Sequence, residues 1–357
     1  MALFGGGKKS YIGLDLGTVS VKLAEMRLEK GKPRLVTYGF IDQSSNIVKN
    51  NAEHTQKEIV ENIKTIVKES RITSTKVVAA LPSYAVFNSI IALPAMSKKD
   101  LYSAVRWEAK KFVPMPLEEM VLDWRILEDE KDGSGKKINE APPGPKKLKV
   151  LLTAAPKNLV KKYIEICKAA ELQIVSLETE SFALERSLIG NDKSTIMIVD
   201  IGGISTDISI IKNSVPILNR NIDVGGDTIT KSIANALNID LERAEQFKRD
   251  VGVADNPNSQ IPKTIEFVIS SIINEINYAM NLFKGQQEVG PVEKIILSGG
   301  SAFLPNLTVY LEKALNLKVI IGNPWARIVY PLDLKPVLDE IGPRFAVAVG
   351  LAIREIV

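Results

Sequence analysis

Apolar and polar side chains alternate through YIGLDLGTVSVKL (residues 11–23), the period-two signature of a half-buried strand, broken by a glycine turn at Gly17. The same pattern returns in MIVDIGGISTDIS (197–209). Both turns read Asp-apolar-Gly-x-x-Ser, beginning at Asp15 and Asp200. Both continue through a polar turn (LEKGKP, IKNSVP) into a further strand (RLVTYGFI, ILNRNIDV). Two hairpins with the same turn at the same place predict a duplicated α/β unit. A third apolar strand, KIILSGGS, ends in Gly299, Gly300 and Ser301. Helical spacing governs DTITKSIANALNI, which opens after Gly225, Gly226 and Asp227, and then LERAEQFKRD.

Between the repeats, VVAAL, SIIALP, VLDWRIL and KVLLTAA read as strands, with a helix at 157–170. Ser97 and Asp100 form a capping-box-like start for another helix. Leu101, Ala104, Val105, Glu108, Ala109 and Phe112 then follow helical spacing, with Glu108 a polar intrusion. This predicts a small α/β subdomain over roughly 75–170. Trp107, Phe112 and Val113 are either its core or, since aromatics beside a sheet edge anchor peptides well, the lining of a partner groove.

Composition narrows the chemistry. The 357 residues are 45% hydrophobic and 25% charged, enough for a bilobed globular chain. The longest apolar run, 345–353, is broken by Gly350, and MALFGGGKKS lacks a secretory core, so a cytoplasmic chain is expected. Cys167, the single cysteine, excludes an internal disulfide. The single histidine, His54, in a polar stretch, leaves little room for histidine-based nucleophilic catalysis. A net charge of +4, spread along the chain, does not indicate nucleic acid. The lysine-rich stretch 131–149, with its APPGP run, reads as a flexible hairpin loop, with a membrane-surface contact as the lesser alternative. Chemistry must therefore rest on carboxylates, lysines, hydroxyls and backbone amides, which suits phosphate and a hard cation.

The glycine turns fit that demand. Gly17, Gly202 and Gly203 let backbone approach a phosphate, with amides and the hydroxyls of Thr18, Ser20, Ser205 and Thr206 turned towards it. Asp15 and Asp200 stand where they can hold Mg²⁺ through its waters, and Lys22 can meet a phosphate as a point charge. The helix start at Gly225–Gly226–Asp227 is an anion site in principle. Glu245 and Lys248 share a helical face and can reach one ribose or base; taken alone, the pair reads first as a solvent-facing i,i+3 ion pair. Gly299, Gly300 and Ser301 provide flat backbone for a nucleoside.

In this order, the motifs resemble the actin-like ATPase superfamily of actin, DnaK-type chaperones, sugar kinases and FtsA. The resemblance implies a duplicated actin-like, ribonuclease H-like bilobed α/β fold that binds ATP with Mg²⁺. It also implies that FAVAVGLAIRE is the helix on which the halves hinge. ALPSYAV, the run from LPAMSKKD to VLDWRIL, VLLTAAPKNLVKKYIEICKAAEL and ETESFALERSL further resemble the PilM family of type IV pilus assembly. They stand where FtsA carries its extra subdomain. The implied organisation is a first core subdomain (1–74 and 171–194), an FtsA-type partner-binding insert (75–170), a second core subdomain (195–226 and 288–357) and a helical nucleotide-contacting subdomain (227–287).

That family implies an adaptor at the inner face of the inner membrane. It docks the N-terminal cytoplasmic tail of a PilN-like membrane protein near the insert, alongside other pilus platform proteins. The alternative is an FtsA-like polymerising ATPase of division or cytoskeleton. Glu180 and Asp200 are the candidates for orienting a water, with hydrolysis weak or absent. Three departures matter. Phe303 stands where chaperones place an adenine-stacking arginine, and Ser181 replaces the proline of their Glu-Pro pair. The chain also stops at AIREIV, so no FtsA-style membrane helix is expected.

Overall fold

A computed structural model describes residues 9–42, 53–113, 115–127, 147–253, 260–285 and 290–356. Most of the lysine-rich stretch 131–149 lies outside them. The chain divides into two compact units, Met1–Leu81 with Glu165–Val357, and Pro82–Ile164.

The larger unit contains two five-stranded sheets of one topology. The first orders β3 (Lys32–Asp42), β2 (Ser20–Glu29), β1 (Ser10–Leu16), β4 (Lys76–Leu81) and β8 (Gln173–Thr179) side by side. The second orders β11 (Val215–Ile222), β10 (Thr206–Lys212), β9 (Ile196–Ile201), β12 (Lys294–Ser298) and β13 (Lys318–Ile321) in the same way. Each begins as an antiparallel meander and continues with two parallel strands. Parallel strands need both faces covered, and β9 meets the requirement by alternation. Met197, Val199 and Ile201 enter a core with α5 (Gly226–Leu237) and α7 (Gln260–Lys284). Ile196 and Ile198 enter a different core with α4 (Glu180–Leu188) and α9 (Lys335–Ile353).

Helix α9 extends well N-terminal of the predicted hinge run and carries Pro343 in its interior. From Phe345 to Ile353 every residue is apolar or small, and all nine are buried. A helix apolar on all sides must be enclosed by protein. Enclosure here is close. A Cβ on Gly13 of β1 would stand 1.8 Å from the Ala348 carbonyl oxygen, and one on Gly350 would stand 1.9 Å from the Ala183 carbonyl oxygen of α4. Arg186 of α4 donates to the Gly350 carbonyl at 2.7 Å and to Glu178, which also accepts from Arg354. The remaining helices of this unit are α1 (Glu53–Glu69), which carries an exposed His54, α6 (Leu241–Val251) and α8 (Leu307–Leu315). Cys167 is buried, and burial pushes its thiol up to about 12.

The smaller unit is a three-stranded antiparallel sheet of β5 (Phe87–Pro94), β7 (Lys147–Pro156) and β6 (Met120–Leu127), covered by α2 (Lys98–Phe112). The boundary between the units falls within α3 (Lys157–Ala169). Ser97 caps α2, accepting from the Asp100 amide and donating to its carboxylate at 2.6 Å. The buried seam runs Leu101, Val105, Ala109, Val113 against Ile91, Leu93, Val150, Leu152 and Ala154. Thus Val113 is core, but Trp107 (68% exposed) and Phe112 are not. The reason is phase: an i, i+4 line holds one face for three turns, and position 107 lies on the opposite side.

Replacing Gly350 with Ala should destabilise the chain by about 1–3 kcal/mol, the usual cost of overpacking a rigid contact. The expected reading is a lower urea midpoint with an unchanged slope. An unchanged midpoint would mean that α4 and α9 can separate at no cost.

Candidate functional site

Hairpin pairing places the two aspartates equivalently. In the first sheet Asp15 pairs across the strands with Lys22, and in the second Asp200 pairs with Asp207. The Lys22 ammonium donates to Asp15 at 2.9 Å, and both residues are buried. A Cβ on Gly17 would lie 3.1 Å from the Lys22 nitrogen, so the first turn folds over this pair, with Ser20 buried and Thr18 half-buried.

The turns of the two lobes touch. A Cβ on Gly203 would meet the Val19 side chain at 2.5 Å. Around Gly203 the second turn is held by hydrogen bonds. The Gly202 amide donates to the Ser205 carbonyl at 2.9 Å, and the Thr206 hydroxyl donates to the Val224 carbonyl at 2.6 Å. The start of α5 is engaged in the same lock. The Gly226 amide donates to the Gly202 carbonyl at 2.9 Å and the Asp227 amide to the Gly203 carbonyl at 2.7 Å. The helix start, read above as an anion site, thus spends two of its amides on the second turn. Gly225 allows this approach, since a Cβ there would stand 2.6 Å from the Gly203 carbonyl.

The third turn joins from β12. Gly299 has φ near +84°, a conformation that favours glycine, and a Cβ there would lie 2.3 Å from the Asp200 carboxylate. A Cβ on Gly226 would meet the Ser301 hydroxyl at 2.7 Å and the Lys248 nitrogen at 3.3 Å. Lys248, on α6, is buried. It donates to the Thr230 hydroxyl at 3.0 Å, to the Gly226 carbonyl at 3.3 Å, and pairs with Glu245 at 2.6 Å. Glu245 also accepts from Thr230 at 2.6 Å. Burial pushes the Glu245 carboxyl up, but the bonds from Lys248, Thr230 and Arg249 hold it below the usual range. This is a tertiary clamp on the start of α5, so the surface-pair reading does not hold. Gly300 lies beside Arg344, which stacks 4.7 Å over the Phe40 ring and pairs with Asp42.

Electrostatics separate the two lobes. Asp15 has Lys22. Burial, reinforced by Asp207 and Asp15 and only partly opposed by Lys22, raises Asp200 to about 7. Burial likewise raises Asp207, against a hydrogen bond from Asn221. Asp207 is the residue that sequence reasoning missed, although its spacing from Asp200 repeats that of Lys22 from Asp15. Thr230 and Val19 carried no signal, because only the tertiary fold brings them in. Glu180 opens α4 and is half-buried.

The donor set fits a nucleotide with a hydrated cation. Asp200 and Asp207 form an acid pair short of positive charge, beside glycine turns whose close approaches leave backbone uncovered by side chains. Among the described residues no group of three or more His, Cys, Asp or Glu is arranged to hold a metal directly.

Two sheets of one topology, joined at paired glycine–aspartate turns, define an actin-like fold. MreB5 of Spiroplasma citri bound to AMPPNP shares it, with TM-score 0.56 and 15% identity over 97% of this chain and 96% of that one. The family model described as type IV pilus assembly protein PilM matches residues 13–356, and the chain belongs to that family. It is similar to a chain of the PilM–PilN type IV pilus biogenesis complex, with TM-score 0.82 and 28% identity over 97% of this chain and 98% of that one. It is also 28% identical to cell division protein FtsA of Neisseria meningitidis over 217 residues, 54% of this chain and 50% of that protein. With FtsA of Bacillus subtilis it is 22% identical over 66% of this chain and 60% of the other. The chain thus spans half to three-fifths of the length of these curated relatives.

With metal and nucleotide removed, the folded chain keeps a proton on Asp200 that the unfolded chain has lost between about pH 4 and 7. Stability should therefore fall as pH rises through that window, because the unfolded state binds fewer protons. Asp200→Asn should flatten the plot of melting temperature against pH. Parallel curves for variant and parent would mean that Asp200 is already ionised throughout.

Proposed function

We propose that this chain is a cytoplasmic, ATP-binding adaptor of type IV pilus assembly. In this reading it docks the N-terminal tail of a PilN-like inner-membrane protein in a nucleotide-dependent way. The observation that carries it is the likeness, over nearly the whole of both chains, to a chain of the PilM–PilN complex. No helix among the described residues is long and apolar enough to cross a membrane, so a membrane-bound partner would supply the anchorage.

At the site, Lys22 and the backbone of the turns at Gly17, Gly202 and Gly203 hold phosphate oxygens, together with the hydroxyls of Thr18, Ser20 and Ser205; the Thr206 hydroxyl, spent on the Val224 carbonyl, fixes the turn instead. Asp15 and Asp200 hold Mg²⁺ through its waters, since that ion dehydrates reluctantly. Bound Mg²⁺ supplies the positive charge that the acid pair of the second lobe lacks. Gly299, Gly300, Ser301, Glu245 and Lys248 face the nucleoside, with Gly225, Gly226 and Asp227 fixing the turn beneath it. Glu180 and Asp200 are the acids able to orient a water. Hydrolysis is slow or absent, and ATP serves to favour one lobe arrangement. The second reading, an FtsA-like polymerising ATPase, rests on the FtsA relatives.

Calorimetry should find that Asp200→Ala weakens Mg-ATP binding by about 1–3 kcal/mol, the scale of a lost charge-assisted contact. Unchanged affinity would remove Asp200 from the site. A synthetic PilN-like tail should bind the parent chain more tightly with Mg-ATP than without it. Filaments that pellet with ATP in the absence of any partner would favour the polymerising reading instead.

A further inference from the structure

Helix α2 has a second face that the fold leaves unused. Opposite its buried seam, positions 99, 102, 103, 106, 107 and 110 form one continuous stripe at helical spacing. Their side chains are all exposed: Lys99, Tyr102 at 55%, Ser103, Arg106, Trp107 at 68% and Lys110. Arg106 lies 6.0 Å over the Tyr102 ring. The two acids of the helix are engaged elsewhere, Asp100 with Ser97 at the cap and Glu108 with Lys111 at 2.8 Å. No acid among the described residues pairs with Lys99, Arg106 or Lys110. The stripe is thus a line of uncompensated positive charge flanked by Tyr102 on one side and Trp107 on the other.

The chemistry and the shape select the occupant. Uncompensated cations call for an anionic surface, and Trp and Tyr beside them suit the boundary between headgroups and acyl chains. The stripe is the outer side of a single helix lying on a sheet, a ridge without walls. An acidic peptide is gripped in a groove, whereas a ridge meets a flat, fluid surface in which each side chain inserts by itself. We propose that the outer face of α2 is a docking surface for anionic lipid headgroups, holding the smaller unit on a membrane independently of any protein partner.

Co-sedimentation of the full chain with vesicles tests this. The chain should pellet with phosphatidylcholine–phosphatidylglycerol vesicles, far less with phosphatidylcholine alone, and less as salt is raised. The double variant R106E/K110E should lose roughly fivefold in partitioning for each charge removed, or more. Trp107→Ala should weaken binding while the melting temperature stays that of the parent, since the side chain has no core contact to lose. Bromolipid quenching of tryptophan fluorescence should be present in the parent and disappear in W107F, which keeps Trp124 and Trp325. Failure to pellet with anionic vesicles, or pelleting that neither variant alters, would overturn the proposal. So would binding of polyglutamate at this face by a chain that ignores vesicles.

Discussion

The contact on which the structure depends is the passage of α9 between β1 and α4 with no side chain at the points of closest approach. At Gly13 and Gly350, backbone meets backbone at distances that exclude even a methyl group. Both sheets of the larger unit reach this helix: Val78 and Ala80 from the first and Ile196, Ile198 and Ile296 from the second share one core with Ala346, Val347 and Leu351. A slide of α9 along β1 would drive backbone into backbone.

Against that shared frame, the lobes differ in charge. Equivalent cross-strand positions hold Asp15 with Lys22 in one and Asp200 with Asp207 in the other. The duplication preserved the strand register and the glycine turns, but one copy is balanced and the other is short of a cation. A polyanion alone would be repelled by the second turn; a polyanion with its cation is complementary to both. The clamp of Thr230, Glu245 and Lys248 adds a further restraint, because it fixes the start of α5 and, through Gly202 and Gly203, the turn itself.

What was legible in the sequence is what local chemistry determines. The two hairpins were readable because strand alternation and Asp-x-Gly turns repeat, and the start of α2 because Ser97 and Asp100 cap within one turn. Residues whose role depends on distant partners were not readable. The amides of Gly226 and Asp227 look available in a one-dimensional reading and are taken by carbonyls contributed more than twenty positions earlier. Glu245 and Lys248 look like a surface pair until Thr230 closes over them. Trp107 and Phe112 were ambiguous because a helix with two apolar-containing faces does not declare which one the sheet will cover.

Pro343 gives α9 an uneven stiffness. Proline has no amide hydrogen, so the carbonyl four residues earlier loses its helical partner at that turn. The carbonyl of Pro343 itself accepts from the Gly299 amide and the Ser298 hydroxyl, each at 3.2 Å. The compliant joint of the long helix is therefore fastened to the turn that lies against Asp200. Bending there is transmitted directly to that turn, which makes α9 a lever with its fulcrum at the end of β12.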